Sequence, residues 1–109
     1  MPFSVMLTRD AARDLEEIYH YISRQDAPGN AGHVLDAIEN AFESLSENPE
    51  RGVYPDELLA LGSRDYREIF FKPYRIVYRV IKSTVYILLI ADGRRDMQTL
   101  LQRRLLEEG

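Results

Sequence analysis

Three runs of strand-forming residues stand almost end to end in the second half of the chain, at 66–71, 74–81 and 84–91. Only Lys72-Pro73 and Lys82-Ser83 part them. A return to a parallel position takes a dozen or more residues, so two-residue connections make neighbouring strands antiparallel. Neither dipeptide is of the Asn-Gly kind, which leaves the turn geometry unspecified. Side chains alternate along a strand, so Tyr74, Ile76, Tyr78 and Val80 share one face of the middle run, and Arg75, Val77, Arg79 and Ile81 share the other. The first face needs an apolar cover.

The first half supplies it. A short strand over 3–7 is followed by Thr8, a residue suited to cap a helix. Ala12, Leu15, Ile18, Tyr19 and Ile22 then recur at helical spacing with Arg13, Asp14, Glu16, Glu17 and His20 between them, which predicts a helix over 9–25. The segment 26–30, Asp-Ala-Pro-Gly-Asn, reads as a breaker. Val34, Leu35, Ile38, Ala41, Phe42 and Leu45 form the stripe of a second helix, antiparallel to the first. Pro49 stops it, and 48–63 reads as a loop with one helical turn at 56–61. At the far end Asp96 caps a short helix carrying Met97, Leu100, Leu101 and Leu105. The order is β-α-α-β-β-β-α. It predicts a single α+β domain over 1–109, an antiparallel sheet covered on one face by a helical hairpin.

Composition narrows the chemistry. A chain of 109 residues with 45% hydrophobic and 29% charged residues suits one ordinary globular core. Without cysteine there is no disulfide, thiolate metal site or cysteine nucleophile. His20 and His33 lie on different helices with no neighbouring ligand pattern, so neither metal nor cofactor is expected. The apolar run 85–91 is far too short to span a membrane, and no leader pattern opens the chain; the expected location is the cytoplasm.

The net charge of −4 conceals a division. Residues 1–50 hold three basic against ten acidic side chains, whereas 64–104 hold ten against four. A surface built from the second region would attract acidic ligands even on an acidic protein. Arg75 and Arg79 are either a solvated sheet face or part of such a site. Arg94 and Arg95 precede a helix N-terminus, where the dipole disfavours cations. Either an anionic partner or the flanking Asp92 and Asp96 must offset them. Arg103 and Arg104 lie on the last helix among leucines that can dock on the sheet or fill a partner's groove.

Residues 66–96, YREIFFKPYRIVYRVIKSTVYILLIADGRRD, together with LSENPERG at 45–52 and TRDAARDLEEIYHYI at 8–22, resemble the RelE/ParE superfamily of small bacterial toxins. The resemblance implies the same fold, with a concave second sheet face. It also implies one of two activities. The RelE branch cuts mRNA in the ribosome with basic side chains and a late aromatic group. Arg75 and Arg95 match two of its arginines, but Glu68 stands on the strand that carries its lysines and Leu101 where the aromatic would be. Glu68 could serve only as a base there. An acidic chain is also poorly suited to bind the ribosome. The ParE branch lacks that catalytic set and poisons DNA gyrase. The expectation is therefore a non-enzymatic gyrase-inhibiting toxin neutralised by a cognate antitoxin in a hetero-oligomer, without sequence-specific nucleic-acid binding. Arg67, Arg75, Arg79, Arg94, Arg95, Arg103 and Arg104 would bind the partner. A ribosome-dependent endoribonuclease using Arg75, Arg95 and Glu68, and a non-toxic antitoxin-binding module, are the alternatives.

Overall fold

The computed structural model describes residues 2–25 and 28–107. Strands β1 (Ser4–Leu7), β2 (Arg67–Phe71), β3 (Tyr74–Ile81) and β4 (Thr84–Asp92) form one sheet in the order β1-β4-β3-β2. The three meander strands pair antiparallel, as the short connections require. β1 is the exception: it lies parallel to β4, from Ser4 opposite Thr84 to Leu7 opposite Ile87. The long helical connection leads from β1 to β2, which runs in the same direction as β4, and so permits the parallel pair.

Helix α1 (Arg9–Gln25) starts where Thr8 caps it, the Thr8 hydroxyl accepting from the Ala11 N–H at 3.2 Å. Helix α2 runs over Pro28–Glu43 and ends in a tighter turn, Ser44–Ser46. It thus begins inside the segment read as a breaker. Proline lacks an N–H that the first helical position leaves unpaired anyway, so it opens a helix as readily as it stops one. Asp26 and Ala27 lie outside the described residues. Ala11, Ile38, Phe42 and Leu45 meet Ile69, Ile76, Tyr78, Val85, Ile87 and Ile90 in the larger core, and β1 contributes Val5 and Leu7 at its margin. No helix among the described residues is long and apolar enough to cross a membrane.

The second sheet face is not open. Two short helices, α3 (Asp56–Leu59) and α4 (Met97–Leu101), close on it, and α4 continues as a wider helical turn over Gln102–Glu107. Asp96 caps α4 as expected, accepting from the Thr99 N–H at 3.2 Å. Leu58, Met97 and Leu101 pack on Val77, Leu89 and Ala91 as a second, smaller core. The pairing shift after Val77 leaves Leu88 between Leu89, opposite Val77, and Ile87, opposite Tyr78. This extra residue in β4 is why Ile87 and Ile90, three apart, both face the larger core.

The loop between the two halves is pinned by Tyr78. Its hydroxyl donates to the Pro49 carbonyl at 2.7 Å and accepts from the Gly52 N–H at 3.0 Å. The ring is fully buried. Position 52 has room for nothing larger than glycine: a Cβ there would stand 2.6 Å from the Tyr78 hydroxyl and 2.8 Å from the Glu68 carbonyl oxygen. Removing the hydroxyl leaves two buried backbone groups unpaired, so Tyr78→Phe should lower stability by about 2–3 kcal/mol. Overpacking should make Gly52→Ala cost about 1–3 kcal/mol. Urea unfolding of the double variant should show less than the sum, because loss of the hydroxyl removes part of the clash.

Candidate functional site

Of the arginines that alternate along β3, Arg75 is already spent. Phe70 pairs with it from β2 and Ala91 from β4, which fixes the side chain on the second face. There its Nε donates to Glu68 Oε1 at 2.7 Å, and its two terminal nitrogens donate to both oxygens of Glu57 at 2.7 and 2.8 Å. All three guanidinium nitrogens are thus engaged by carboxylates, and the side chain is only 14% exposed. Gly93 lies against its stem, where a Cβ would come within 2.9 Å of Cδ. Glu57 comes from α3, so the cluster ties the loop helix to the sheet.

One guanidinium acts in opposite senses on its two partners. The hydrogen bonds from Arg75 hold the Glu57 carboxyl below the usual carboxylate range. Burial pushes the Glu68 carboxyl up despite a bond from the same arginine, because desolvation outweighs that bond. Arg75 is itself held more firmly protonated, first by Glu57. The cluster is two carboxylates on one cation, with Glu68 in the drier position.

The other candidate arginines do not gather around Arg75. Arg94 folds back on Asp92, its Nε donating at 2.9 Å and its backbone N–H at 2.9 Å to the same oxygen. Its charge beside the helix start is offset internally, while the side chain remains 80% exposed. Arg95 makes no ion pair among the described residues. It opens on the α1 side, into a hollow of about 440 Å³ with Tyr21, Arg24 and Tyr74. Arg104 is a structural bolt: it donates to Asp14 at 2.9 and 3.1 Å and to the Leu88 carbonyl at 2.9 Å, while Asp14 also accepts from the Ile90 N–H at 3.0 Å. These contacts close the edge of β4 beyond the end of β1. Arg103 is exposed beside them. Arg67 donates to the carbonyls of Glu50 and Gly52 and lies 4.6 Å over the Tyr54 ring, holding the loop. Arg79 rests 5.6 Å from the centre of the Tyr66 ring. Leu101, where a late aromatic group would stand, is fully buried in the second core.

Sequence reading missed Glu57, the residue that decides the state of Arg75. The available signal was Pro55-Asp56-Glu57, a proline and two acids at a helix start, but a four-residue helix has no period to announce its inward side.

The opposite shifts of the two carboxyls give opposite pH behaviour. The lowered folded pKa of Glu57 supplies stability that is present above its unfolded value near 4.5 and lost as pH falls through the folded value. Glu57→Gln should therefore cost about 1–3 kcal/mol at neutral pH, with the deficit shrinking in acid. The raised folded pKa of Glu68 means that its contribution falls as pH rises from about 4.5 through the folded value. Glu68→Gln should therefore be tolerated at neutral pH, and stability relative to the parent should rise with pH over that window. Thermal melts of both variants from pH 4 to 8 check the pair.

The family model described as the ParE toxin of the type II toxin-antitoxin system ParDE matches residues 5–97. Toxin ParE3 of Caulobacter vibrioides is 29% identical over 100 residues, spanning 92% of this chain and 96% of that protein. The chromosomal ParDE toxin-antitoxin system of P. aeruginosa contains a chain that superposes with a TM-score of 0.71 at 25% identity, covering 83% of this chain and 95% of that one. The RelBE2 toxin-antitoxin complex of Mycobacterium tuberculosis gives 0.57 at 26% identity, covering 84% and 92%. A mutant of the E. coli toxin RelE in the free state shares the fold, with a TM-score of 0.61 at 16% identity over 99% and 98%. With its helical hairpin, meander and Gly-Arg-Arg-Asp exit within or beside the matched span, the chain belongs to the ParE toxin family of type II toxin-antitoxin systems.

Proposed function

We propose that this toxin arrests growth by poisoning DNA gyrase rather than by cutting RNA, and that a cognate antitoxin holds it inactive in a hetero-oligomer. The observation that carries the reading is the occupation of Arg75. RNA cleavage by the 2′-hydroxyl requires a cation facing the crowded phosphate and a group with access to the hydroxyl proton. Arg75 is bonded at every nitrogen to Glu57 and Glu68. Glu68, the one candidate base, is 5% exposed and faces the same arginine. An incoming phosphate would have to displace two carboxylates and would meet their charge on the way. The likeness to toxin ParE3 and to the ParDE chain supports the gyrase-directed branch over the ribosome-directed one.

Induced expression without the antitoxin should give filamentous cells with a DNA-damage response, and the purified chain should accumulate cleaved DNA when added to gyrase. Coexpression of the neighbouring small reading frame should restore growth. Codon-phased mRNA cuts that vanish in Arg75→Ala and Arg95→Ala would make the protein a ribonuclease instead. Harmless expression with tight antitoxin binding would make it a binding module without toxicity.

A further inference from the structure

Two hollows adjoin along α1, and their linings differ in kind. The first, of about 440 Å³, has Ile18, Ile90 and Ala91 among its walls and Tyr21 and Tyr74 beside them. The second, of about 250 Å³, is mostly polar and gathers Arg13, Arg103 and Arg104. Asp14, Glu17 and Arg95 line both, so the two form one trough. Helical spacing explains its course. Asp10, Arg13, Asp14, Glu17, Tyr21 and Arg24 recur three or four residues apart, which puts them on one face of α1. From Arg13 to Tyr21 the helix rises about 12 Å, with Glu17 midway.

Most acids in the trough are already engaged. Asp14 accepts from Arg104 and from the Ile90 N–H, Asp10 lies 3.9 Å from the same guanidinium, and Asp92 accepts from Arg94. The other cations are not engaged in this way. Arg13, Arg24, Arg95 and Arg103 are exposed and make no ion pair among the described residues. Of the acids, Glu17 alone makes none there. The Tyr21 side chain is left 59% exposed at the edge of the apolar walls. One end of the trough thus suits a planar apolar group and the other suits concentrated negative charge.

We infer that this trough binds a nucleoside diphosphate or triphosphate, with the base on Tyr21 and Tyr74 and the phosphates on Arg13, Arg95 and Arg103. Every base has a face that stacks on an aromatic ring, and guanidiniums hold phosphate oxygens two at a time. Glu17, between the two ends, would accept from the ribose hydroxyls. The hollow beside the tyrosines is of the size that encloses a small ligand. Inorganic phosphate would leave the rings unused. A nucleic-acid strand would carry its phosphates through both hollows, past Glu17 and Asp92, whereas a free nucleotide confines its charge to the end where the arginines gather. The Arg75 cluster takes no part in this site.

Calorimetric titration of the full chain with ADP, AMP, adenosine and pyrophosphate at one ionic strength tests the inference, together with NMR of the tyrosine rings. ADP should bind about tenfold or more tightly than adenosine or pyrophosphate, because each fragment uses one end of the trough. It should also shift the ring signals of Tyr21 and Tyr74. Arg95→Gln with Arg103→Gln should weaken ADP by about tenfold or more and remove the preference for ADP over AMP. Tyr21→Ala should weaken ADP by about tenfold and leave pyrophosphate unchanged. These side chains are exposed, so both variants should keep the parent's thermal midpoint. Absence of ADP binding would overturn the inference. So would pyrophosphate binding as tightly as ADP, an oligothymidylate binding more tightly than ADP, or tyrosine signals that stay in place. None of these readouts involves gyrase or an antitoxin, so the proposed activity stands or falls separately.

Discussion

Burial of β3 on both faces is the constraint from which the other features follow. One face carries Ile76 and Tyr78 into the core under the helical hairpin, and the other carries Val77 into the core under α3 and α4. A strand covered on both sides has no solvent in which to leave a guanidinium, yet Arg75 lies in its covered part. The cation is accommodated only because Glu57 and Glu68 converge on it, the charges and hydrogen bonds being satisfied together. The arrangement also secures the loop: Arg75 fastens α3 through Glu57, Tyr78 fastens Pro49 and Gly52, and Arg67 fastens Glu50 and Gly52. Three side chains of β2 and β3, Arg67, Arg75 and Tyr78, are thus the anchors of that loop.

The elements with period were legible. The spacing of Ile18 and Ile22, and of Ile38 and Phe42, marked the hairpin, and the two-residue breaks marked the meander. Thr8 and Asp96 marked helix starts. The second core was not legible, because half of it comes from Leu58 on a helix of one turn, and from a β4 face redirected by an extra residue at Leu88. The ion cluster was hidden for a related reason. Residues 57, 68 and 75 are brought together by tertiary folding, and no local rule pairs an acid in a loop with an arginine in a strand. The Arg94-Arg95 doublet left two possibilities open, and the residues divide between them: Arg94 is offset by Asp92, while Arg95 makes no ion pair among the described residues.

For function, the consequence is a redistribution of roles among the arginines. Arg67, Arg75 and Arg104 do structural work inside the chain. Arg79, with Arg64 and Lys82, lines a cleft at the end of β3, and none of the three makes an ion pair among the described residues. The fold shared with the toxin RelE thus carries, in this chain, two carboxylates on the Arg75 guanidinium.

The most direct test of this account is the side-chain NMR signal of the Arg75 Nε–H in the free protein at neutral pH. Bonded to Glu68 on a guanidinium whose terminal nitrogens are held by Glu57, the proton should exchange slowly with water, and its shift should not move when inorganic phosphate or a short RNA is added. Rapid exchange with a saturable shift on phosphate addition would contradict the account, because it would mean that the guanidinium is free to receive an anion.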